Sequence, residues 1–267
     1  MASVTITRVA HSTVLIDFGG RRILTDPWFS EKWGYYHGEP YGIELRDLPP
    51  LDAVIVSHGH YDHYDMESFA AYPDKAVPMF VKRGIAEKAR QVGFTHVVEM
   101  DAGEVNTVGD LRITAGPAKH AVPEITYVLE CGGLTVFFGA DTMLIPELDD
   151  IAHAFPRIDV ALLAVNGLII RPMLNRHVVM SARQAAQLCG LLKPRYAIPT
   201  HYAFTGGPLQ DHVLLKYDGT AEEFAAAVPT YAPQTIARVL PPGVPLTVEE
   251  LATAAPATAT GEAPQRA

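Results

Sequence analysis

Residues 57–65 are rich in side chains of the types that bind metal ions. This stretch, Ser-His-Gly-His-Tyr-Asp-His-Tyr-Asp, follows the apolar run 51–56, which is typical of a buried strand. Imidazole and carboxylate groups both suit zinc and similar cations. If the chain between His58 and His60 is extended, the two rings point to the same side, and His63 can face a second ion. One loop cannot close two coordination shells, so we expect further ligands from distant parts of the chain. The alternative is a polar surface loop with scattered histidines.

The pattern His-x-His-x-Asp-His directly after a buried strand is the signature of the metallo-β-lactamase fold superfamily. The chain resembles that superfamily over residues 3–205. The version found here is most similar to the branch that holds the ascorbate-6-phosphate lactonases and the N-acylphosphatidylethanolamine-hydrolysing phospholipases D. The resemblance implies an α/β (α+β) protein, a four-layer αββα sandwich with two mixed β-sheets flanked by helices. The alternation of predicted helices, strands and hairpins also favours two mixed sheets over a doubly wound sheet.

Position by position, the resemblance implies two sets of metal ligands. The first ion would be held by His58, His60 and His120. The second ion would be held by Asp62, His63 and His201. Asp141 would bridge the two ions, because a carboxylate has two oxygens, and Asp62 would also be the catalytic residue that orients the attacking hydroxide. The alternatives are a surface histidine for His120 and a helix-capping aspartate for Asp141.

Three further polar residues have weaker signals. Asp26, in Thr-Asp-Pro, is predicted to orient a metal ligand from outside the coordination shell, and a local turn hydrogen bond is the alternative. His11 precedes a strand in a stretch that also resembles the branch, but we favour a structural, hydrogen-bonded histidine over one that faces the site. Asp65 is predicted to cap the helix that begins at Met66 rather than to bind metal.

The candidate substrate contacts come from two loops and one strand end. The aromatic loop 29–50 contains Trp33 and Tyr36 and is predicted to form either a wall over the site or a surface excursion. The loop 166–177 offers groups for a polar or anionic substrate, namely Arg171, Arg176 and His177. Tyr202 follows the predicted ligand His201 and could face the substrate. For all of these residues, a solvated or packed loop position is the alternative.

Composition limits the class of protein. Among 267 residues, 48% are hydrophobic and 19% are charged, which is typical of a chain with a substantial core. The sequence has no signal peptide pattern and no membrane-spanning run, and its two cysteines are too few for a disulfide framework, so we expect a cytoplasmic protein. The net charge of −9, without a Lys/Arg cluster, argues against a nucleic-acid partner. A small-molecule substrate is expected, and a homo-oligomer is left open.

These observations predict one domain over residues 1–248, followed at 249–267 by a low-complexity, disordered tail. The predicted function is that of a dinuclear metal-dependent hydrolase, which uses a metal-bound hydroxide to cleave a small ester, lactone or phosphodiester. Two divalent ions are expected, zinc first, with manganese or iron as alternatives. A di-iron oxidoreductase is a second reading, but those members usually carry Glu where this chain has His60. A non-catalytic metal-binding member is a third, although every ligand position is filled.

Overall fold

The computed structural model describes residues 2–250. The strands of its first half are β1 (Ser3–Ala10), β2 (Thr13–Phe18), β3 (Arg21–Thr25), β4 (Ala53–Val56), β5 (Met79–Lys82), β6 (Val97–Met100), β7 (Val105–Val108) and β8 (Leu111–Gly116). Those of the second half are β9 (Thr126–Cys131), β10 (Leu134–Phe138), β11 (Val160–Ala164), β12 (Ile169–Ile170), β13 (Arg176–His177), β14 (Tyr196–Thr200), β15 (Leu215–Lys216), β16 (Ile236–Ala237) and β17 (Pro245–Glu249). The helices are α1 (Met66–Phe69), α2 (Ala86–Gln91), α3 (Leu148–Ala154), α4 (Ala182–Leu192), α5 (Pro208–Val213) and α6 (Ala221–Tyr231).

Two seven-stranded sheets form the body of the fold. The first has the order β17-β1-β2-β3-β4-β5-β6, and the second has the order β16-β14-β11-β10-β9-β8-β7. Both are mixed: β3 to β6 pair in parallel beside an antiparallel half, and β10, β11, β14 and β16 pair in parallel beside the antiparallel strands β7 to β9. The prediction of two mixed sheets is confirmed.

The buried strands explain why the sheets stack between helices. Successive side chains of a strand point to opposite faces. In β4, Ile55 packs into the core between the two sheets, whereas Val54 packs into the cluster that contains Phe69 of α1. In β11, Leu162 belongs to the central core and Leu163 to the cluster beneath α3, α4 and α6. Strands that are apolar on both faces therefore produce the predicted four layers, αββα.

A third, small sheet was not predicted. It has the order β13-β12-β15, and its strands are two residues each. The stretch 166–177 was predicted as a loop, because strands this short show no periodicity. The sheet lies outside the two main sheets and lines the cavity described below.

The last described strand, β17, pairs with the first strand, β1. β17 pairs antiparallel with β1, from Ser3 opposite Glu249 to Thr7 opposite Pro245. The predicted domain boundary at 248 therefore falls within this strand. The predicted disordered tail lies, from residue 251 onward, outside the described residues. Within residues 2–250, the helices are all too short or too polar to cross a bilayer.

Candidate metal centre

The carboxyl ends of several strands meet at one edge of the sandwich. Asp26 follows β3, the stretch 57–65 follows β4, and Asp141 and His201 follow β10 and β14. Parallel strands present their carboxyl ends at the same edge, so residues far apart in sequence are delivered to one place.

The first group consists of three histidines. Nε2 of His58 lies 3.0 Å from Nδ1 of His60, which in turn lies 3.1 Å from Nε2 of His120. Nδ1 of His120 is 2.6 Å from the carbonyl oxygen of Val178 and must donate to it, so its Nε2 carries a lone pair. Nδ1 of His58 is likewise engaged, 2.9 Å from Oγ of Ser57.

These imidazole rings are in the neutral state that binds a metal ion, and not in the protonated state. Burial lowers the pKa of His58 well below its ordinary value and that of His120 to about 4. Both rings are therefore neutral near pH 7, and one ring nitrogen from each of the three histidines lies within 4.8 Å of the others. A divalent ion bound by imidazole at about 2.0–2.1 Å would accept all three nitrogens in this spacing.

The second group is made of Asp62, His63, His201 and, in addition, His11. One ligand atom from each lies within 4.8 Å of the others. Oδ2 of Asp62 is 3.8 Å from Nε2 of His63 and 3.9 Å from Nε2 of His201. Burial raises the pKa of Asp62, but the neighbouring charges of His63 and His11 lower it by more, so the carboxylate is ionised at neutral pH.

Asp141 lies between the two groups. Its Oδ2 is 2.9 Å from Nε2 of His201, 3.3 Å from Nε2 of His63 and 3.9 Å from Nε2 of His120. The Nε2 atoms of His63 and His201 nevertheless have no hydrogen-bond partner. The two Nε2 atoms are therefore close to the carboxylate of Asp141 without being hydrogen-bonded to it. This arrangement is expected of ligands that share a cation.

Asp26 holds one predicted ligand, His63, in place. Oδ2 of Asp26 is 2.7 Å from Nδ1 of His63 and also accepts a hydrogen bond from the hydroxyl of Ser57 at 2.7 Å. Oδ1 of Asp26 accepts from the backbone N–H of Ser57 at 2.7 Å. Asp26 also lies close to His58 and His63 in a possible third ligand group. Because its oxygens are already occupied by Ser57 and His63, orientation of His63 is the better reading.

Backbone strain is concentrated around the centre. Four residues other than glycine have positive φ there: His11 (53°), Asp26 (36°), Ala140 (46°) and His201 (58°). Each such conformation costs on the order of 1–3 kcal/mol and persists only where the surroundings impose it. Clustered strain of this kind is typical of a functional site.

Two buried residues of the centre were missed by the sequence interpretation. His11, for which a structural role was favoured, is fully buried with Nε2 3.4 Å from Oδ2 of Asp62. Glu124 accepts from the backbone N–H of Asp141 at 2.8 Å and lies 3.2 Å from Nδ1 of His58. Burial and the charge of Asp141 raise the pKa of Glu124 well above its usual range. For His11 the one sequence signal was the resemblance of its stretch to the branch, and Glu124 belongs to no spaced motif that separates it from an ordinary loop residue.

A cavity of about 260 Å³ opens above the centre. At its floor are His60, Asp62, His120, Asp141 and His201. Its walls are mainly apolar: Tyr35, Leu168, Ile170, Val178, Phe204 and Leu215. Gln210 adds a polar group, and no Lys or Arg is among the described residues that line it. A larger, open cleft of about 600 Å³ lies elsewhere and includes only Glu124 from the centre.

None of the six predicted substrate residues lines this cavity. Trp33 is 72% exposed, and Tyr36 is held by backbone pairing with Thr205, so Tyr35 takes the expected aromatic place. The guanidinium of Arg171 donates to the carbonyl of His212 at 2.8 Å.

The other three predicted substrate residues are also elsewhere. The hydroxyl of Tyr202 contacts the guanidinium of Arg8, away from the cavity. Arg176 and His177 line a separate cavity of about 190 Å³ that shares His120 with the first. The sequence indicated the correct loops but not the side chains that face inward, because the inward direction is set by the small sheet.

Asp65 has the predicted capping role. Its Oδ1 accepts from the backbone N–H of Ser68 at 3.1 Å, at the start of α1. Its Oδ2 also accepts from the backbone N–H of Phe29 at 3.2 Å and from the hydroxyl of Ser30 at 2.7 Å. Asp65 therefore fastens the aromatic loop to the metal-binding stretch.

Comparisons with known proteins identify the family of this chain. The family described as the beta-lactamase superfamily domain matches residues 21–202. A UPF0173 metal-dependent hydrolase of Pyrococcus furiosus is 30% identical over 211 residues, which cover 74% of this chain and 84% of the relative. The solved structure of Igni18, a metallo hydrolase of Ignicoccus hospitalis, has a TM-score of 0.71 at 24% identity, covering 93% of this chain and 100% of its own.

The fold is also shared with a protein of different chemistry. CmlA, a diiron β-hydroxylase of Streptomyces venezuelae, has a TM-score of 0.70 at 17% identity over 92% of this chain and 54% of its own. Such similarity shows the fold alone. The match of the family over most of the chain, together with the hydrolase relative, shows that this chain belongs to the beta-lactamase superfamily.

Proposed function

We propose that the protein is a dinuclear metal-dependent hydrolase of small, uncharged esters or lactones. The observation that carries the proposal is the convergence of seven predicted ligands, five of which form the floor of one apolar cavity, with Asp141 in contact with both groups. The relatives that are named metal-dependent hydrolases support the reaction class.

The side chains would hold the ions as two sets. Neutral His58, His60 and His120 would bind the first, and Asp62, His63 and His201 would bind the second, with Asp141 between them. When bound, divalent ions of this kind lower the pKa of coordinated water to about 7 and polarise a carbonyl or phosphoryl oxygen. The ionised Asp62 would accept a hydrogen bond from the attacking water and orient it, which is why we assign it the catalytic role.

The cavity supports an uncharged substrate. Its walls offer Leu168, Ile170, Leu215 and two aromatic rings to an apolar acyl chain or ring. A substrate that carries a phosphate away from the scissile bond would need a cationic partner in the wall, since burying an unpaired anion is unfavourable. No such group is among the described lining residues, so we favour an ester or lactone over a phosphorylated lactone or a phosphodiester.

The two other readings have less support. The first group consists of three imidazoles, and no observation favours redox chemistry over hydrolysis. A non-catalytic role is disfavoured because the ligand positions are filled and open onto a cavity. Elemental analysis of the purified protein separates these readings, since a colourless zinc or manganese centre excludes a di-iron oxidoreductase.

The test is hydrolysis of a matched panel of chromogenic esters, lactones and phosphodiesters, with and without added metal. We expect metal-dependent turnover of neutral esters or lactones. Asp62→Asn should lower it by about 10²–10⁴-fold, the usual contribution of such a group, and His60→Ala should abolish it. His96→Ala, at an exposed histidine outside the centre, is the matched control and should leave turnover unchanged. Equal turnover by the chelated protein, or by the Asp62→Asn variant, would refute the proposal.

A further inference from the structure

We propose that His11 is a further ligand of the second cation, through Nε2. This inference rests on the proposed dinuclear centre and extends its ligand set. It makes the second site His11, Asp62, His63 and His201, with Asp141 shared between the two ions.

The position of the ring supports a ligand. Nε2 of His11 lies 3.4 Å from Oδ2 of Asp62, and the ring centroid lies 4.0 Å from that of His201 and 5.1 Å from that of His63. The donor atoms of all four residues lie within 4.8 Å of one another. One cation can therefore be reached by the four side chains together.

The hydrogen-bond state of His11 supports the same reading. The side chain is fully buried, and neither ring nitrogen has a hydrogen-bond partner among the described residues. A buried polar group without a partner is rare in folded proteins and calls for an explanation such as an ion.

The backbone is arranged to deliver this ring. His11 lies in the turn between β1 and β2 with φ of +53°, where glycine would be unstrained. Its N–H donates to Oε1 of Glu39 at 3.0 Å, and Glu39 forms a partly buried ion pair with the buried Arg8. Its carbonyl accepts from the N–H of His201 at 3.5 Å. The turn is thus fixed by this ion pair and is joined directly to a predicted ligand.

A consequence concerns the kind of ion. Five protein ligands exceed the tetrahedral shell that zinc adopts in most protein sites. The second site would therefore suit an ion that accepts six ligands, such as manganese or iron, better than zinc.

The test is ¹¹³Cd NMR of the ¹⁵N-labelled full chain loaded with ¹¹³Cd. Through-bond coupling from cadmium to nitrogen requires direct ligation. We expect coupling to six histidine rings, those of His11, His58, His60, His63, His120 and His201. In His11→Asn, one of these couplings should vanish, and the affinity for the second cation should fall by more than the roughly 100-fold that loss of an outer-shell partner causes.

His37→Asn is the matched control. His37 is also buried, and its ring is stacked on Trp28 at 3.6 Å, whereas the ring of His11 meets Trp28 edge-on at 5.0 Å. The control should keep all six couplings and both cations. Two bound cadmium ions coupled to only five rings, without His11, would overturn this inference and leave the proposed centre intact. A chain that binds no cadmium would overturn the centre itself.

Discussion

Single side chains explain how the candidate ligands are kept ready. Asp26 shares one oxygen between His63 and the hydroxyl of Ser57, while that hydroxyl lies against the ring of His58. One buried carboxylate thus orients a predicted ligand of each ion. It does so from a strained backbone position, which indicates that the surrounding fold sustains the strain for this contact.

Replacement of Asp26 tests this role. Asp26→Asn keeps the size of the side chain but weakens the hydrogen bond that it accepts from Nδ1 of His63, so we expect metal affinity to fall by about 10–100-fold. Isothermal titration with zinc or manganese measures this loss. Affinity within about twofold of the parent chain would show that Asp26 serves only the turn after β3.

The pH dependence of stability can be tested away from the centre, at His37. Burial lowers the pKa of His37 below its ordinary value of 6.5, although hydrogen bonds to the carbonyl of Trp28 and to Glu31 oppose the shift. The unfolded chain therefore binds this proton at a higher pH than the folded chain does. The contribution of His37 to the free energy of unfolding should have its full value above pH 6.5 and should decline as the pH falls below that value.

His37→Asn provides the comparison for this prediction. Denaturant titrations of both chains between pH 5 and 8 should give a difference in stability that shrinks towards acid. A difference that is constant over this range would contradict the assignment of a lowered pKa to His37.

For single residues, the sequence alone predicted ligands only where they lie close together along the chain. The stretch 57–65 could be interpreted from its own spacing, because the strand before it fixes where the loop begins. His120, Asp141 and His201 depended on the resemblance, and the structure brings them to the early histidines. His11 had only the resemblance of its stretch to the branch, and Glu124 had no pattern at all, since their positions arise from tertiary packing.

Among the elements, the small sheet has the clearest functional consequence. Ile170 of β12 and Leu215 of β15 line the cavity, and β13 pairs on the other side of β12. Without this sheet the centre would open to solvent on that side. The cavity wall is therefore built by an element outside the two main sheets.

A charge placed on this wall should change substrate preference. Leu215→Lys adds a cation to the lining, and an ion pair at about 4 Å contributes about 1 kcal/mol even in water. The ratio of kcat/KM for an ester with a carboxylate tail to that for its neutral analogue should rise at least about fivefold. Leu214→Lys adds the same charge at a residue that does not line the cavity, and it should leave the ratio unchanged. An equal ratio in both variants would contradict the assigned wall.

The elements differ in how well their sequences predict them. The apolar runs of β4 and β11 were predictable because both faces are buried. Ser181 caps α4, because its side chain accepts from the backbone N–H of Gln184. The strands of the small sheet and the short helix α5 lack the length for a period to appear.

For the whole molecule, the centre joins the two main sheets. Asp26 and the stretch 57–65 come from the first sheet, and His120, Asp141 and His201 come from the second. Bound cations would therefore link the two halves of the sandwich as well as supply chemistry. Metal binding and global stability are expected to be coupled.

Chelation should reveal this coupling. A ligand at 100 times its Kd stabilises the folded state by about 2.7 kcal/mol per site. Thermal unfolding of the metal-loaded chain should therefore occur at a clearly higher Tm than that of the chelated chain, and the difference should shrink in His120→Ala. An identical Tm in both states would show that the two halves are held together by packing alone.

Anomalous X-ray diffraction from the metal-loaded protein tests the central claim most directly. Two peaks are predicted about 3.5–4 Å apart. One should lie within bonding distance of His58, His60 and His120, and the other within bonding distance of Asp62, His63 and His201, with Asp141 in reach of both. A single peak, or peaks out of reach of Asp141, would contradict the dinuclear centre and the hydrolase proposed from it.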